Sequence, residues 1–331
     1  VTQSFAFLLS RQPRALAPDT WWFRAMNAAA TWAVNQTMAL VAGDAPFSQR
    51  TAARLVSRRG GDTRIIATPP GRGRSGWRER DRMTIAAADL LIGLSIRPGG
   101  IMEALALSAL AEGKAVHLIE GETPPAIRDR LIEAGATILD IPIEPVTPRA
   151  AALPEAIPRA YDDEPGHLWH FTRSACGPWP GETEEEYIDA LIGNAPGAGH
   201  TAADALARIL EEKRIRACGR LIKGSRPVVC LTAATPREIM AIRKYRPALL
   251  RWDFEPAAIG IPIDTAEALG IQPVRYLPPG AERTLAAGER HLFQKHQPPE
   301  VDFSKESEWR IAGDLDLSGL RPEEMRVYLP E

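Results

Sequence analysis

Residues 78–121 constrain the fold more than any other stretch of the chain. They run from an arginine-rich helical pattern into the apolar segment 89–94, a Ser95–Gly100 turn, the alanine- and leucine-rich segment 101–112 and a second apolar run at 115–119. Short apolar runs on both sides of one amphipathic helix are the signature of a βαβ unit, because a parallel sheet is covered on both faces. The pattern predicts an α/β fold with a doubly wound sheet. In such sheets ligands lie at the carboxyl ends of the strands, where helix N-termini direct amides at anions. Pro98-Gly99-Gly100 falls at one of those ends.

The preceding region repeats the theme. Residues 21–34 have helical spacing, 38–42 form a β run closing at Gly43, 48–58 read as a helix and 63–68 as another buried strand. After it comes Pro69-Pro70-Gly71-Arg72-Gly73-Arg74-Ser75-Gly76, a glycine-rich basic loop able to bring amides and guanidinium groups to phosphate. Charge is uneven along the chain: residues 1–150 hold 18 Lys/Arg against 14 Asp/Glu, and the remainder 22 against 28. Ten arginines between Arg50 and Arg82 face three acids, which predicts a basic surface for an anionic partner, a nucleotide or single-stranded nucleic acid. The other reading of that stretch is a solvated arginine-rich face.

Length allows two domains, each with its own core. The expected division is 1–140 for the doubly wound part, 141–165 for a connector holding six prolines in 25 residues, and 166–331 for a smaller α+β part. No apolar run reaches membrane-spanning length, and residues 5–9 are too short for a secretory signal core, so a cytoplasmic protein without membrane association is expected. Cys176, Cys218 and Cys230 lack metal-ligand or disulfide-framework spacing, so reduced thiols and no metal site are expected. A homo-oligomer is compatible with all of this.

In the second part, residues 168–172 and 228–232 read as strands, and two helices open on capping boxes, Thr183 with Glu186 and Thr201 with Asp204. If 306–311 is a strand, Glu306 and Glu308 project from one face. Two carboxylates about 7 Å apart repel, raise the pKa of the less solvated one, and suit charge stabilisation or proton transfer. His170 and Thr232 are the other polar residues set on those strands. Each of the four also has a purely structural reading: a satisfied core histidine, an ordinary strand threonine, a salt-bridged strand face.

Two resemblances arise from these residues. Ala39-Leu-Val-Ala-Gly43, Gly60-Gly-Asp-Thr-Arg-Ile-Ile66, Arg80-Asp-Arg-Met-Thr-Ile-Ala-Ala-Ala-Asp89 and Gly99-Gly100 ahead of Ala109-Leu-Ala-Glu-Gly-Lys-Ala-Val116 make about a third of the chain similar to the Rossmann-like domain of the DNA-processing protein A family, within the group that includes the LOG nucleotide-processing enzymes. That resemblance implies a nucleotide-sized anion pocket at Gly43, Gly99 and Gly100, with Arg80 or Arg82 beside it. The order His170-Phe-Thr, Leu206–Ile215, Val228–Thr232 and Glu306-Ser-Glu308-Trp-Arg resembles abortive-infection and toxin-like proteins related to ADP-ribosyltransferases. It implies NAD as a substrate: His170 at the adenosine-side ribose, Thr232 supporting the nicotinamide pocket, Glu308 on the nicotinamide ribose and Glu306 orienting an unidentified acceptor. Together the resemblances imply a phage-defence or toxin-like protein that senses a nucleotide or nucleic acid and acts on NAD. A non-catalytic protein that binds single-stranded nucleic acid is the alternative.

Overall fold

The structure, a computed structural model, describes the chain except residues 1, 11–15, 71–72, 176, 220–221, 223–224, 248–250 and 331. Cys176 and part of the glycine-rich loop, Gly71 and Arg72, therefore lie outside the described residues. Two compact units are present: residues 1–149 with 176–199, and residues 150–175 with 200–331.

Unit 1 is built on six parallel strands, β1 (Ser4–Leu9), β2 (Ala39–Gly43), β3 (Thr63–Ile66), β4 (Leu90–Ser95), β5 (Ala115–Leu118) and β6 (Thr137–Ile138), in the order β3-β2-β1-β4-β5-β6. This is the Rossmann-like doubly wound order, with its reversal between β1 and β4. Five helices accompany the strands: α1 (Trp21–Asn35), α2 (Phe47–Ser57), α3 (Gly73–Ala86), α4 (Ile101–Ala111) and α5 (Pro125–Glu133).

Alternation along β1 shows why both faces must be covered. Phe5, Phe7 and Leu9 pack with α1 and α2 residues such as Trp22, Met26 and Leu55, whereas Ala6 and Leu8 pack with Met102, Ala106 and Leu131 of α4 and α5. At roughly 2 kcal/mol for each fully buried large apolar side chain, this central strand anchors the unit from both sides. No described helix is long and apolar enough to cross a membrane.

The proline-rich connector is not a loose tether. Ile141 and Ile143 pack against the unit 1 core, and Leu153 and Ile157 join the unit 2 core. The units also depart from the expected division at a second place. Helix α6 (Glu184–Ile192) carries the expected Thr183 capping box, yet it belongs to unit 1. Its apolar face explains this: Tyr187, Leu191 and, just beyond the helix, Ala198 lie in the unit 1 core, Tyr187 stacks on Phe47, and its hydroxyl donates to the Leu16 carbonyl.

Unit 2 contains a six-stranded sheet in which β7 (His167–Phe171) pairs with the strands Val228–Thr232 and Ala258–Pro262, both antiparallel. The strand Glu308–Ala312 lies on the far side of Val228–Thr232, and Arg326–Tyr328 beyond Ala258–Pro262. Helix α7 (Ala202–Glu212) opens on the expected Thr201–Asp204 capping box and buries Leu206 and Leu210 against the sheet residues Val229, Leu231, Ile259 and Ile261.

Candidate functional sites

A cavity of unit 1, about 780 Å³, opens at the carboxyl ends of β1, β2 and β4. Leu9 and Ser10 follow β1, Ala45–Gln49 follow β2, and Arg97 and Gly100–Met102 lead from β4 into α4. Trp22, Trp77, Arg80 and Asp81 complete much of the wall, and Gly177, Pro178 and Glu184 close one side. The cavity therefore sits at the point where strand order reverses, the usual ligand crevice of this architecture, and its volume suits a nucleotide-sized molecule.

Gly43 is required there by close approach. A Cβ at residue 43 would stand 2.7 Å from both Cδ and Nε of Arg80, so only glycine lets the Arg80 side chain lie across the end of β2. Arg80 is buried; its Nε and Nη2 donate to Asp81 Oδ1 at 3.1 and 2.6 Å and its Nη1 to Thr68 Oγ1 at 3.2 Å. The Gly43 amide donates in turn to Gln49 Oε1 at 3.2 Å. Arg82 projects away: it is exposed, pairs with Glu79 at 3.5 Å, and does not line the cavity.

The glycine turn before α4 is already occupied by the chain itself. Gly99, at φ +65°, donates its amide to Glu103 Oε2 at 2.6 Å, and the Gly100 amide donates to the Arg97 carbonyl at 3.2 Å. Glu103 is buried and is paired from α5 by Arg130. A carboxylate in the first helical turn satisfies the terminus electrostatically. Of the expected anion-binding groups, Gly43 supports Arg80, Gly100 contributes to the wall, and Gly99 holds the turn.

The basic surface expected between Arg50 and Arg82 is neutralised in part within the unit. Arg50 pairs with Glu184, its Nη2 2.7 Å from Oε2; Arg54 grips Asp189 at 2.8 and 2.6 Å and reaches Glu185 at 3.1 Å. Arg58 approaches Asp189 at 3.7 Å, and Arg59 bonds Asn27, Thr31 and the Leu55 carbonyl. The guanidinium of Arg54 holds the Asp189 carboxyl below the usual carboxylate range. The acids come from α6, some 130 residues downstream, which is why local charge counting predicted an open basic face.

In unit 2 the expected constellation is only partly assembled. Glu308 stands opposite Thr232, Arg310 opposite Cys230, and Trp169 opposite Thr232 on the other neighbour. Residues opposite one another share a face, so strand alternation turns His170 away from the face that carries Glu308. His170 packs its Nδ1 2.8 Å from the Cys230 carbonyl, which can only accept, so Nδ1 carries the proton. Burial lowers its pKa to about 4, with Arg173 adding to the effect and the Cys230 carbonyl opposing it, leaving the ring neutral at pH 7.

Glu306 and Glu308 do not share a strand. A 3₁₀ turn over Ser304–Glu306 and a left-handed Ser307, φ +41°, precede the strand, which begins at Glu308. Thr232 fastens that turn: its hydroxyl donates to the Glu306 carbonyl and accepts from the Ala234 amide at 3.0 Å. The two carboxyls are nonetheless electrostatically joined. Burial, then the charges of Glu308 and Asp253, raise the Glu306 pKa to about 7 against the pull of Arg246 and Arg310.

Glu308 takes a bidentate pair from Arg310, both bonds at 2.8 Å. The remaining Arg310 donors reach the His291 and Phe293 carbonyls at 3.0 and 2.9 Å and Gln294 Oε1 at 2.6 Å. The sequence motif contains Arg310 but gives it no role, and it does not point to Tyr276. The Tyr276 hydroxyl accepts the Glu308 amide at 3.0 Å and donates to the Phe303 carbonyl at 3.2 Å, and nothing local in the sequence marks that link. Beside them, burial and the Glu308 charge push the Cys230 thiol up to about 12, so it is an inert thiol at neutral pH.

The class defined by strand order is thus a Rossmann-like unit with a switch-point cavity, joined to a mixed α/β unit. No family model and no curated protein matches the chain. Among solved structures it is similar to DNA processing protein A from Streptococcus pneumoniae, at 15% identity and a TM-score of 0.31 over 42% of this chain and 58% of that one. The chain thus spans less than two thirds of that protein, and a likeness this distant carries no argument about function.

Proposed function

We propose that unit 1 binds a small ligand of the nucleotide class in its switch-point cavity. The observation that carries this reading is the coincidence of one large cavity with the point of strand-order reversal, walled by aromatic side chains and by Arg80 lying over Gly43. Single-stranded nucleic acid at the basic face is the weaker reading, because Arg50, Arg54 and Arg58 are paired with α6 acids. Calorimetric titration with mononucleosides, mononucleotides and a short single-stranded oligonucleotide separates the two. Saturable binding of a mononucleoside or mononucleotide that Gly43→Ala abolishes supports the cavity. Oligonucleotide binding alone, with steep salt dependence, overturns it.

For unit 2 we propose carboxylate-dependent chemistry on NAD, transfer or hydrolysis, in the defence or toxin-like role that its resemblance implies. What supports this is the Glu306–Glu308 pair, in which one carboxyl titrates near neutrality beside another held by Arg310. Such a pair can divide proton transfer from stabilisation of a developing ribosyl cation. His170, on the opposite face, is assigned a structural part in this scheme. Nicotinamide release from NAD tests it: turnover by wild type, reduced about a hundredfold or more in Glu306→Gln, is expected. A folded wild type that releases no nicotinamide, with and without cell extract as acceptor source, sinks the NAD reading.

A further inference from the structure

Whether the unit 1 ligand is phosphorylated depends on what charge the wall has to spare. Among the described residues its ionisable side chains are Arg80, Arg97, Asp81 and Glu184, two guanidinium groups and two carboxylates. Arg80 is committed to Asp81 and Thr68, and Glu184 to Arg50. The amides of Gly99 and Gly100 are engaged by Glu103 and by the Arg97 carbonyl. Of the groups by which this architecture usually holds a polyphosphate, the glycine turn and the guanidinium of Arg80 are thus both engaged by the chain itself.

What the wall does offer is suited to an uncharged ligand. Asp81 receives both Arg80 bonds on Oδ1, and no described residue donates to its Oδ2, so the carboxylate is held rigid with one oxygen left to accept. Gln49, only 8% exposed, is oriented because its Oε1 accepts from Gly43. Its amide nitrogen, for which no described residue is an acceptor, is left to donate, and the residue lines the cavity. Trp77, half exposed at the wall, supplies a flat apolar platform.

Resting on the reading of unit 1 given above, we propose that the cavity selects an uncharged ribonucleoside over its phosphorylated forms, with a ribose hydroxyl on Asp81, the base on Trp77 and a base acceptor on Gln49. A charged acceptor left without its hydroxyl donor loses more than a neutral contact would, which makes the ribose a point of discrimination.

The experiment is calorimetric titration of the full chain with the four ribonucleosides, their 2′,3′-dideoxy analogues, 5′-monophosphates and 5′-triphosphates. At least one ribonucleoside is expected to bind, its dideoxy analogue about tenfold or more weaker, with affinity falling as phosphates are added. Asp81→Asn, checked for folding by thermal melting, should erase the preference for ribose while leaving the order of phosphates unchanged. Affinity that rises with phosphate number, or equal binding of dideoxy analogues by wild type, overturns this inference while leaving a nucleotide-class site standing. No binding by any of the probes overturns the reading of unit 1 itself, and this inference with it.

Discussion

The two units handle charge in opposite ways. In unit 1 an excess of arginine on α2 is matched by acids on α6, forming several separate, partly exposed pairs such as Arg50–Glu184 and Arg54–Asp189. In unit 2 one buried arginine, Arg310, serves Glu308 at close range while Glu306 feels the crowding, and the arrangement is shared, not pairwise. Dispersed pairs can each be lost at small cost and leave no group titrating near neutrality. A crowded buried cluster cannot lose a member cheaply, and it yields a carboxyl with a pKa useful for chemistry.

The largest expected effect breaks the unit 2 cluster. Arg310→Met leaves the Glu308 carboxyl, its side chain 12% exposed, without its partner and should cost about 3–5 kcal/mol by urea denaturation. Adding Glu308→Leu should recover much of that loss, and no recovery would show that the carbonyl and Gln294 bonds matter more than the ion pair.

Next is Gly43→Ala in unit 1. Its methyl group must displace Arg80, for an expected loss of about 1–3 kcal/mol and of ligand binding together. An unchanged melting temperature would mean that Arg80 moves aside freely.

Titration sharpens the comparison further. Glu306, ordinarily near 4.5, is held at about 7 in the fold, so the folded chain binds this proton more tightly than the unfolded one. Stability contributed by this group is therefore present below pH 4.5, lost as pH rises to 7, and level above. Glu306→Gln should remove that decline, making the variant about 1–2 kcal/mol more stable than wild type at pH 8 and similar at pH 4, after allowance for the partial exposure of the group. Parallel stability profiles for the two proteins between those pH values would contradict the shift.

The smallest effect is expected in unit 1, where a double-mutant cycle on Arg54 and Asp189 should give about 0.5 kcal/mol, diminishing at high salt. A coupling several times larger would erase the contrast between the units.

Much of the doubly wound part could be read from its apolar runs, since β2 to β5 and α1, α2 and α4 lie within a residue or two of the segments predicted for them. The central strand β1 is not legible as a strand: buried on both faces it is continuously apolar, and Phe5–Leu9 shares that pattern with a short secretory core. At the candidate sites, residue types were legible and their partners were not. Glu306 and Glu308 look like strand neighbours until Ser307 adopts a left-handed conformation, and His170 seems to belong with Glu308 until the register sets it on the other face. The α6 acids and α2 arginines were each visible as charge runs, but pairing at a separation of 134 residues leaves no local mark.

The return of residues 176–199 to unit 1 has a consequence for how the protein is made. The chain passes from one unit to the other three times, after residues 149, 175 and 199. During synthesis, α2 emerges long before α6, so Arg50 and Arg54 wait without their carboxylates, and the wall beside Pro178 stays open, until residues 178–189 have left the ribosome. By the same token no single cut in the gene separates the two parts intact, so they are inherited, truncated or recombined as one.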